Sequence, residues 1–316
     1  MSGPSLTWGL IGASRIAARA IVPALRAEGQ VITSVAAGDA TRATAFAEEH
    51  AIAGTHSDYA SLLAGPGIDA VYISLTNELH ADWTIRALRS GKHVLCEKPL
   101  ALAERDAAAI VSAESACGRR VMEAFCHLYH PAVVDLAAAM ESGALGEVLT
   151  LQGDLSFPLE DDEDFRWSAA RGGGAAADLG CYLLCLASLL TGHPATEISV
   201  VRRPRGEVDG SVTALFRSGD IHCTITAGLL SGPHQGLRVT GTGAIAELNQ
   251  PVTTRGRSVE LKIGDDVRTY PPHEPYRHMV RHFVDAITHG APILFDSAAS
   301  LAQANALEQL RGKAMT

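Results

Sequence analysis

Over the first 125 residues, short apolar runs alternate with segments of helical period. Residues 6–11 read as a strand and 15–28 as a helix with apolar positions Ile16, Ala20, Ile21, Ala24 and Leu25. Pro23 inside that segment predicts a kinked or shortened helix. The series continues with strands at 31–36, 70–74, 93–96 and 120–125. Helices at 41–50, 79–89 and 103–116 separate them. Such alternation predicts parallel strands joined by right-handed helical crossovers.

Beyond Pro131 the period changes. After one helix at 132–142, alternating segments follow at 148–155, 198–202, 212–217, 220–227, 237–240, 244–248 and 259–263, with Gly, Pro and Asp between them. A helix at about 175–190 interrupts the series, and helices at 275–289 and 297–313 close it. The predicted fold class is α/β: an N-terminal doubly wound parallel sheet, residues 1–125, followed by a C-terminal α+β domain, residues 126–316. The second domain is built on a large, mostly antiparallel open sheet. An open sheet with apolar positions on its outer face needs covering, so a homodimer or homotetramer is expected.

Composition narrows the function classes. At 316 residues the chain exceeds one ordinary core, in line with two domains. A net charge of −9 argues against a nucleic-acid surface, since no block of Lys and Arg offsets it. No uninterrupted apolar run reaches the roughly 18 residues of a membrane span, and no apolar signal segment precedes the first strand. The six cysteines lack paired C-x-x-C spacing and read as free thiols in a reducing cytoplasm. Cys126, His127 and His130 do not have a zinc spacing, and no metal is expected.

Candidate chemistry gathers at predicted strand ends. The apolar run 93–96 stops on Glu97-Lys98-Pro99, placing charge at the carboxyl edge where open α/β sheets put ligands. Gly12-Ala13-Ser14-Arg15-Ile16-Ala17 follows the first strand as a degenerate G-x-G-x-x-G/A turn suited to a pyrophosphate. Ser14, at the middle glycine, adds a hydroxyl and crowds the approach. About 20 residues on, where an acidic residue would read a ribose 2′-OH, the chain has Ala37, with Arg42 in the following turn. That favours NADP over NAD, Arg42 pairing with the 2′-phosphate; Asp39 favours NAD if the register slips by two. Thr76 and Asn77, after the strand 70–74, offer hydrogen bonds to nicotinamide or ribose, or cap the next helix.

Several segments carry a family resemblance: 8–14 (WGLIGAS), 76–80 (TNELH), 91–100 (GKHVLCEKPL), and Gly172-Gly173-Gly174 through Asp178-Leu179-Gly180-Cys181-Tyr182. In these the chain resembles the glucose-fructose oxidoreductase / inositol dehydrogenase / rhizopine-catabolism superfamily. The amino-terminal half is similar to 1,5-anhydrofructose reductases. The Asp178–Tyr182 segment is similar to dihydrodiol and xylose dehydrogenases and keto-sugar reductases. The resemblance implies a Rossmann domain followed by a larger-sheet domain. It implies Lys98 as the catalytic-site lysine, Glu97 and His80 near the cofactor, Tyr182 at the acid/base position and Asp178 lining the substrate site. Phe125-Cys126-His127-Leu128-Tyr129-His130-Pro131 departs from a Met-Tyr-Arg-x-His-Pro-like run in many relatives. His127 therefore bears on the substrate, whose identity this loop leaves open.

Asp178 and Tyr182 lie four apart at helical period, so both would project from one helix face. Tyrosine titrates near 10 in water and needs a cation such as Lys98 to act near neutrality. Either Tyr182 or Lys98 could donate the proton in reduction. Arg166 and Trp167, after the run Asp161-Asp162-Glu163-Asp164, suit a lid or sugar-binding wall, while the run itself reads as a solvated loop. The expected function is NAD(P)-dependent hydride exchange with a sugar, polyol or related cyclic diol or ketone. A nucleotide-sensing regulator and an NAD-dependent glycosidase are the alternatives the resemblance admits.

Overall fold

The computed structural model describes residues 5–254 and 256–312. The chain divides into two units. The first contains Met1–Ala101, Arg105–Phe125 and Tyr276–Leu301; the second contains Leu102–Glu104, Cys126–Pro275 and Ala302–Thr316.

In the first unit six strands form one parallel sheet: β1 (Thr7–Ile11), β2 (Val31–Ala36), β3 (Gly54–His56), β4 (Ala70–Ile73), β5 (His93–Cys96) and β6 (Val121–Glu123). Their order, β3-β2-β1-β4-β5-β6, is that of a dinucleotide-binding doubly wound sheet. Strand order reverses between β1 and β4, and ligands bind such sheets outside the carboxyl ends there. β4 is buried at every position, as a strand covered on both faces must be. β3 and the helix Tyr59–Ala64 were not expected from the pattern; β3 has three residues and no apolar side chain to mark it.

Pro23 has the expected effect, by a specific route. In a straight α-helix its ring would strike the carbonyl four residues back. Here a π-helical turn, Ala17–Ile21, precedes a six-residue α-helix, Val22–Ala27, which carries the proline in its first turn.

The segment Tyr276–Leu301 clusters with the first unit, not with its sequence neighbours, because its apolar and basic faces both find partners there. Phe283 packs on Trp8 with ring centroids 6.0 Å apart, and Phe295 meets Phe125 edge-on at 5.6 Å. Arg277 and Arg281 pair with Glu28 at 3.0 and 2.9 Å. Burial would raise the Glu28 pKa, but the two guanidinium groups outweigh it and hold the carboxyl below its usual range.

The second unit is an eight-stranded sheet of β7 (Val148–Ser156), β8 (Ala195–Arg205), β9 (Val208–Ser218), β10 (Ile221–Gly228), β11 (His234–Gly241), β12 (Ile245–Leu248), β13 (Val259–Ile263) and β14 (Asp266–Tyr270). The order is β14-β13-β12-β11-β7-β10-β9-β8, antiparallel throughout except for the parallel pair β7–β10. One face buries Leu151, Leu155, Val212, Phe216 and Ile225 on strands that meet the helix Cys181–Thr191, and the helix Pro131–Glu141 packs on that helix and on β13. The other face is less apolar than expected. Leu215 and Val201, 57% and 75% exposed, sit among Thr213, Gln152, Asp154 and Arg238.

Ala169–Thr191 has the length and mean hydropathy (1.6) of a membrane span, which a search for uninterrupted apolar runs misses. By placement it belongs to the core, since most of it is buried within the fold.

Phe283→Ala is expected to destabilise the protein by about 3–5 kcal/mol, the usual cost of emptying an aromatic site. The check is the midpoint of urea unfolding.

Candidate active site

The ends of β1, β2 and β4 are tied together at the switch point. Gly12 has φ +110°, its N–H donates to the Ala36 carbonyl at 2.9 Å, and a Cβ there would lie 2.6 Å from the Ser74 carbonyl oxygen. Only glycine fits both demands. Ser14 Oγ donates to Ser74 Oγ at 2.8 Å and accepts from the Ala17 N–H at 3.0 Å, so the hydroxyl in place of the middle glycine fastens the turn to β4. Arg15 and Ile16 open the helix, Arg15 exposed. This cradle of small residues at a helix start fits a dinucleotide pyrophosphate.

Ala37 is buried beyond β2. Asp39 accepts from the Thr41 N–H at 2.8 Å, capping the helix Ala40–Glu49. Arg42, exposed on that helix, donates to the Ala13 carbonyl at 3.1 Å, which sets its guanidinium beside the glycine turn. Thr76 stands at the start of the short helix Asn77–Leu79 but makes no capping bond; its hydroxyl donates to Glu78 Oε1 at 2.7 Å. Asn77 is buried.

The Lys98–Pro99 peptide is cis, and the turn holding it is fixed on every side. The Glu97 N–H donates to the Ile73 carbonyl at 2.8 Å, and Tyr72 Oη donates to Glu97 Oε1 at 2.6 Å. Burial, then the Glu97 charge, pushes the Tyr72 phenol well above its ordinary pKa, keeping it a donor. His80 is buried, with Nδ1 2.8 Å from the Pro99 carbonyl and Nε2 3.1 Å from that of Leu75. Burial lowers its pKa, against the pull of the two carbonyls. On the far side Glu123 Oε1 accepts from the Leu100 N–H at 2.9 Å, and Oε2 accepts from Ser300 Oγ at 2.8 Å. Burial pushes the Glu123 carboxyl up to about 7, opposed by those two donors and by Lys98.

In the second unit, Asp178 and Tyr182 do not share one regular α-helix. Ala176–Gly180 is a π turn that runs into the α-helix Cys181–Thr191, so the four-residue spacing spans a change of period. Such turns recur at functional sites. Asp178 is buried and forms an ion pair with Arg166 at 2.9 Å; Arg166 also pairs with Asp164 at 3.0 Å. Gly173 permits this approach, since a Cβ there would collide with the Arg166 carbonyl, which accepts from the Gly174 N–H at 2.8 Å. His127 is buried with its ring edge-on to Tyr182, centroids 5.0 Å apart.

The structure thus brings Arg166 to Asp178 and His127 to Tyr182. Trp167 stands elsewhere, its ring under Arg205 at 3.6 Å and its Nε1 donating to the Asp161 carbonyl. The acidic run is not simply solvated, because Asp164 pairs with Arg166 and Asp162 with Arg205. Among the described residues no group of three His, Cys, Asp or Glu is placed to hold a metal.

Two buried carboxyls escaped the sequence reading. Asp209, on β9, accepts from the Ala176 N–H at 2.5 Å and so anchors the π turn; burial raises its pKa against that donor. Glu123 ends β6 as Glu97 follows β5, so the signal that drew attention to Glu97-Lys98 was present there too.

Comparison with known proteins places the chain. Residues 6–125 match the oxidoreductase family with an NAD-binding Rossmann fold (GFO/IDH/MocA), and residues 133–247 match the GFO/IDH/MocA C-terminal domain. The chain belongs to the GFO/IDH/MocA family. It is an oxidoreductase. It is 30% identical to a D-xylose 1-dehydrogenase (NADP(+)) of Haloferax volcanii, over 98% of each chain. It is 46% identical to a 1,5-anhydro-D-fructose reductase of Ensifer adhaerens, over 35% of this chain and 33% of that protein. Among solved structures, KijD10, a 3-ketoreductase from Actinomadura kijaniata in complex with NADP and TDP-benzene, superposes with a TM-score of 0.88. Its sequence is 28% identical, over 97% of each chain.

Glu123 generates a stability prediction. Its folded pKa of about 7 exceeds the unfolded value of roughly 4.3, so the native state holds an extra proton between the two. Stability from this group is complete below about pH 4 and lost as pH rises through about 7, on the order of 3 kcal/mol in all. Glu123→Gln should gain stability relative to wild type between pH 5 and pH 8, read as the difference in urea midpoints.

Proposed function

We propose that this oxidoreductase uses NADP to exchange a hydride with a sugar, polyol or related cyclic diol or ketone, with Lys98 and Tyr182 handling the proton. The observation that carries the reading is the convergence of the Gly12 turn, Ser74 and the Glu97–Pro99 turn on one carboxyl edge of a six-stranded parallel sheet. The relatives' names, a xylose dehydrogenase and a keto-sugar reductase among them, support a carbohydrate substrate.

Residues 1–125 are read as the dinucleotide-binding part and 126–316, apart from the segment Tyr276–Leu301 that clusters with the first unit, as the part that binds substrate and a second copy of the chain. Gly12, Ala13, Ser14, Arg15 and Ile16 form the pyrophosphate cradle. Ala37 leaves room for a 2′-phosphate, and Arg42 pairs with it; Asp39 is engaged in capping the helix Ala40–Glu49, which supports this reading. Thr76, Asn77 and Glu97 serve the nicotinamide and its ribose. His80, with both ring nitrogens at carbonyls, supports that wall through Leu75 and Pro99.

The bound nicotinamide supplies the hydride exchange. In oxidation the Tyr182 phenolate accepts the hydroxyl proton as hydride leaves the same carbon. In reduction the phenol returns a proton to the oxygen of the former carbonyl. The Lys98 ammonium favours phenolate and stabilises negative charge on that oxygen. Asp178, Arg166 and His127 orient the hydroxyls of the substrate, while Trp167, held against Arg205, stands apart from them. A homodimer or homotetramer formed through the open sheet face completes the reading, although Leu215 and Val201 stand there among polar residues. The six free thiols support a cytoplasmic setting.

Lys98→Met should lower kcat at least ~100-fold with NADPH binding retained, the low end of the effect of losing an acid/base group. A panel of aldoses, ketoses and inositols assayed by absorbance at the nicotinamide band checks this, and wild-type turnover in the variant would sink the assignment. Arg42→Ala should weaken NADPH binding about tenfold or more, the worth of one charge-assisted hydrogen bond, and leave NADH binding unchanged. Fluorescence titration with both cofactors reads the difference.

A further inference from the structure

We propose that Glu123 is the positioning residue of Lys98: it braces the turn that carries the lysine and supplies the negative charge that keeps the lysine an ammonium. The inference rests on the reading of Lys98 as catalytic.

Glu123 lies at the end of β6, 3% exposed. Its Oε1 holds the N–H of Leu100, two residues beyond Lys98, and the Ser300 hydroxyl fixes its Oε2. Satisfying Leu100 and Ser300 alone needs no charge, since an amide side chain would do so without the cost of burying a carboxylate. Among the described residues, the titratable and charged groups near Glu123 on the neighbouring segment are Lys98, Glu97 and Cys96; the helix Ser297–Arg311 contributes the Ser300 hydroxyl. Cys96 is held as a neutral thiol, because burial, then Glu97 and Glu123, push it up while Thr84 pulls the other way. Glu97 is a like charge and takes a hydrogen bond from Tyr72. Lys98 is thus the cation that favours the carboxylate, and the coupling is reciprocal: whatever Lys98 does to ionise Glu123, Glu123 does equally to keep Lys98 protonated. The Glu123 pKa, near 7, leaves the carboxylate the dominant form at mildly alkaline pH.

The test is competitive labelling of the full-length protein with trace acetic anhydride from pH 6 to 11. The Lys98 and Lys92 peptides are quantified by mass spectrometry. Glu123→Gln keeps an acceptor for Leu100 and a partner for Ser300 while removing the charge. It should lower the Lys98 labelling midpoint by about one pH unit, the lower end of the shift a close opposite charge produces, and leave Lys92 unmoved. An unchanged Lys98 midpoint in folded Glu123→Gln overturns the proposal.

If that variant does not fold, Lys98→Met reads the same coupling from the other side. The fall of wild-type stability with rising pH should shift to higher pH in Lys98→Met, and an unshifted curve overturns the proposal. Labelling does not depend on turnover, so the two readings fail separately. An unmoved midpoint with an inactive Lys98→Met removes only the role of Glu123. A moved midpoint with an active Lys98→Met removes only the catalytic role of Lys98.

Discussion

The hydrogen bonds around the turn after β5 are the constraint on which the first unit's carboxyl edge depends. That turn leaves a buried strand, and the Glu97 N–H, the Pro99 carbonyl and the Leu100 N–H are each met by a neighbour from a different part of the chain. The Ile73 carbonyl comes from β4, His80 from the helix that follows it, and Glu123 from β6. Three strands and a helix are thereby tied to the one turn that carries Lys98. A buried polar network of this kind is favourable only when every member is paired.

The second unit solves a related problem with opposite signs. A buried aspartate on a π turn would be costly alone, and Arg166 offsets that cost by standing between Asp178 and Asp164. The loop from 160 to 172 is therefore tied down by charge, with Trp167 sandwiched against Arg205 a short way along it. Loop order here depends on one guanidinium that neutralises two carboxylates at once.

Much of this was legible in the amino-acid sequence, and the reasons are physical. Alternation of buried runs with helical periods marks a parallel sheet, and Gly12 and Glu97-Lys98-Pro99 stand out because they break the apolar pattern at strand ends. The edge strands β3 and β14 were hidden because edges carry little apolar signal; β14 is exposed along most of its length. The extent of the first unit was hidden too, since nothing in the period of the helix Pro275–Thr288 says which sheet will receive Phe283. Glu123 and Asp209 were missed for a different reason. A lone carboxylate at a strand end reads as solvated until the structure shows it buried, with a backbone N–H in front of it.

The π turn at Ala176–Gly180 has a consequence for how this segment can vary. Such a turn amounts to one residue inserted into a helix, and one residue is worth about 100° of rotation at 3.6 residues per turn. Side chains before it and after it are therefore indexed on separate clocks. Losing a single residue there would re-aim Tyr182 relative to everything upstream while leaving every downstream helical contact in register. A change of length, with no change in any site residue, is enough to redirect what this helix presents.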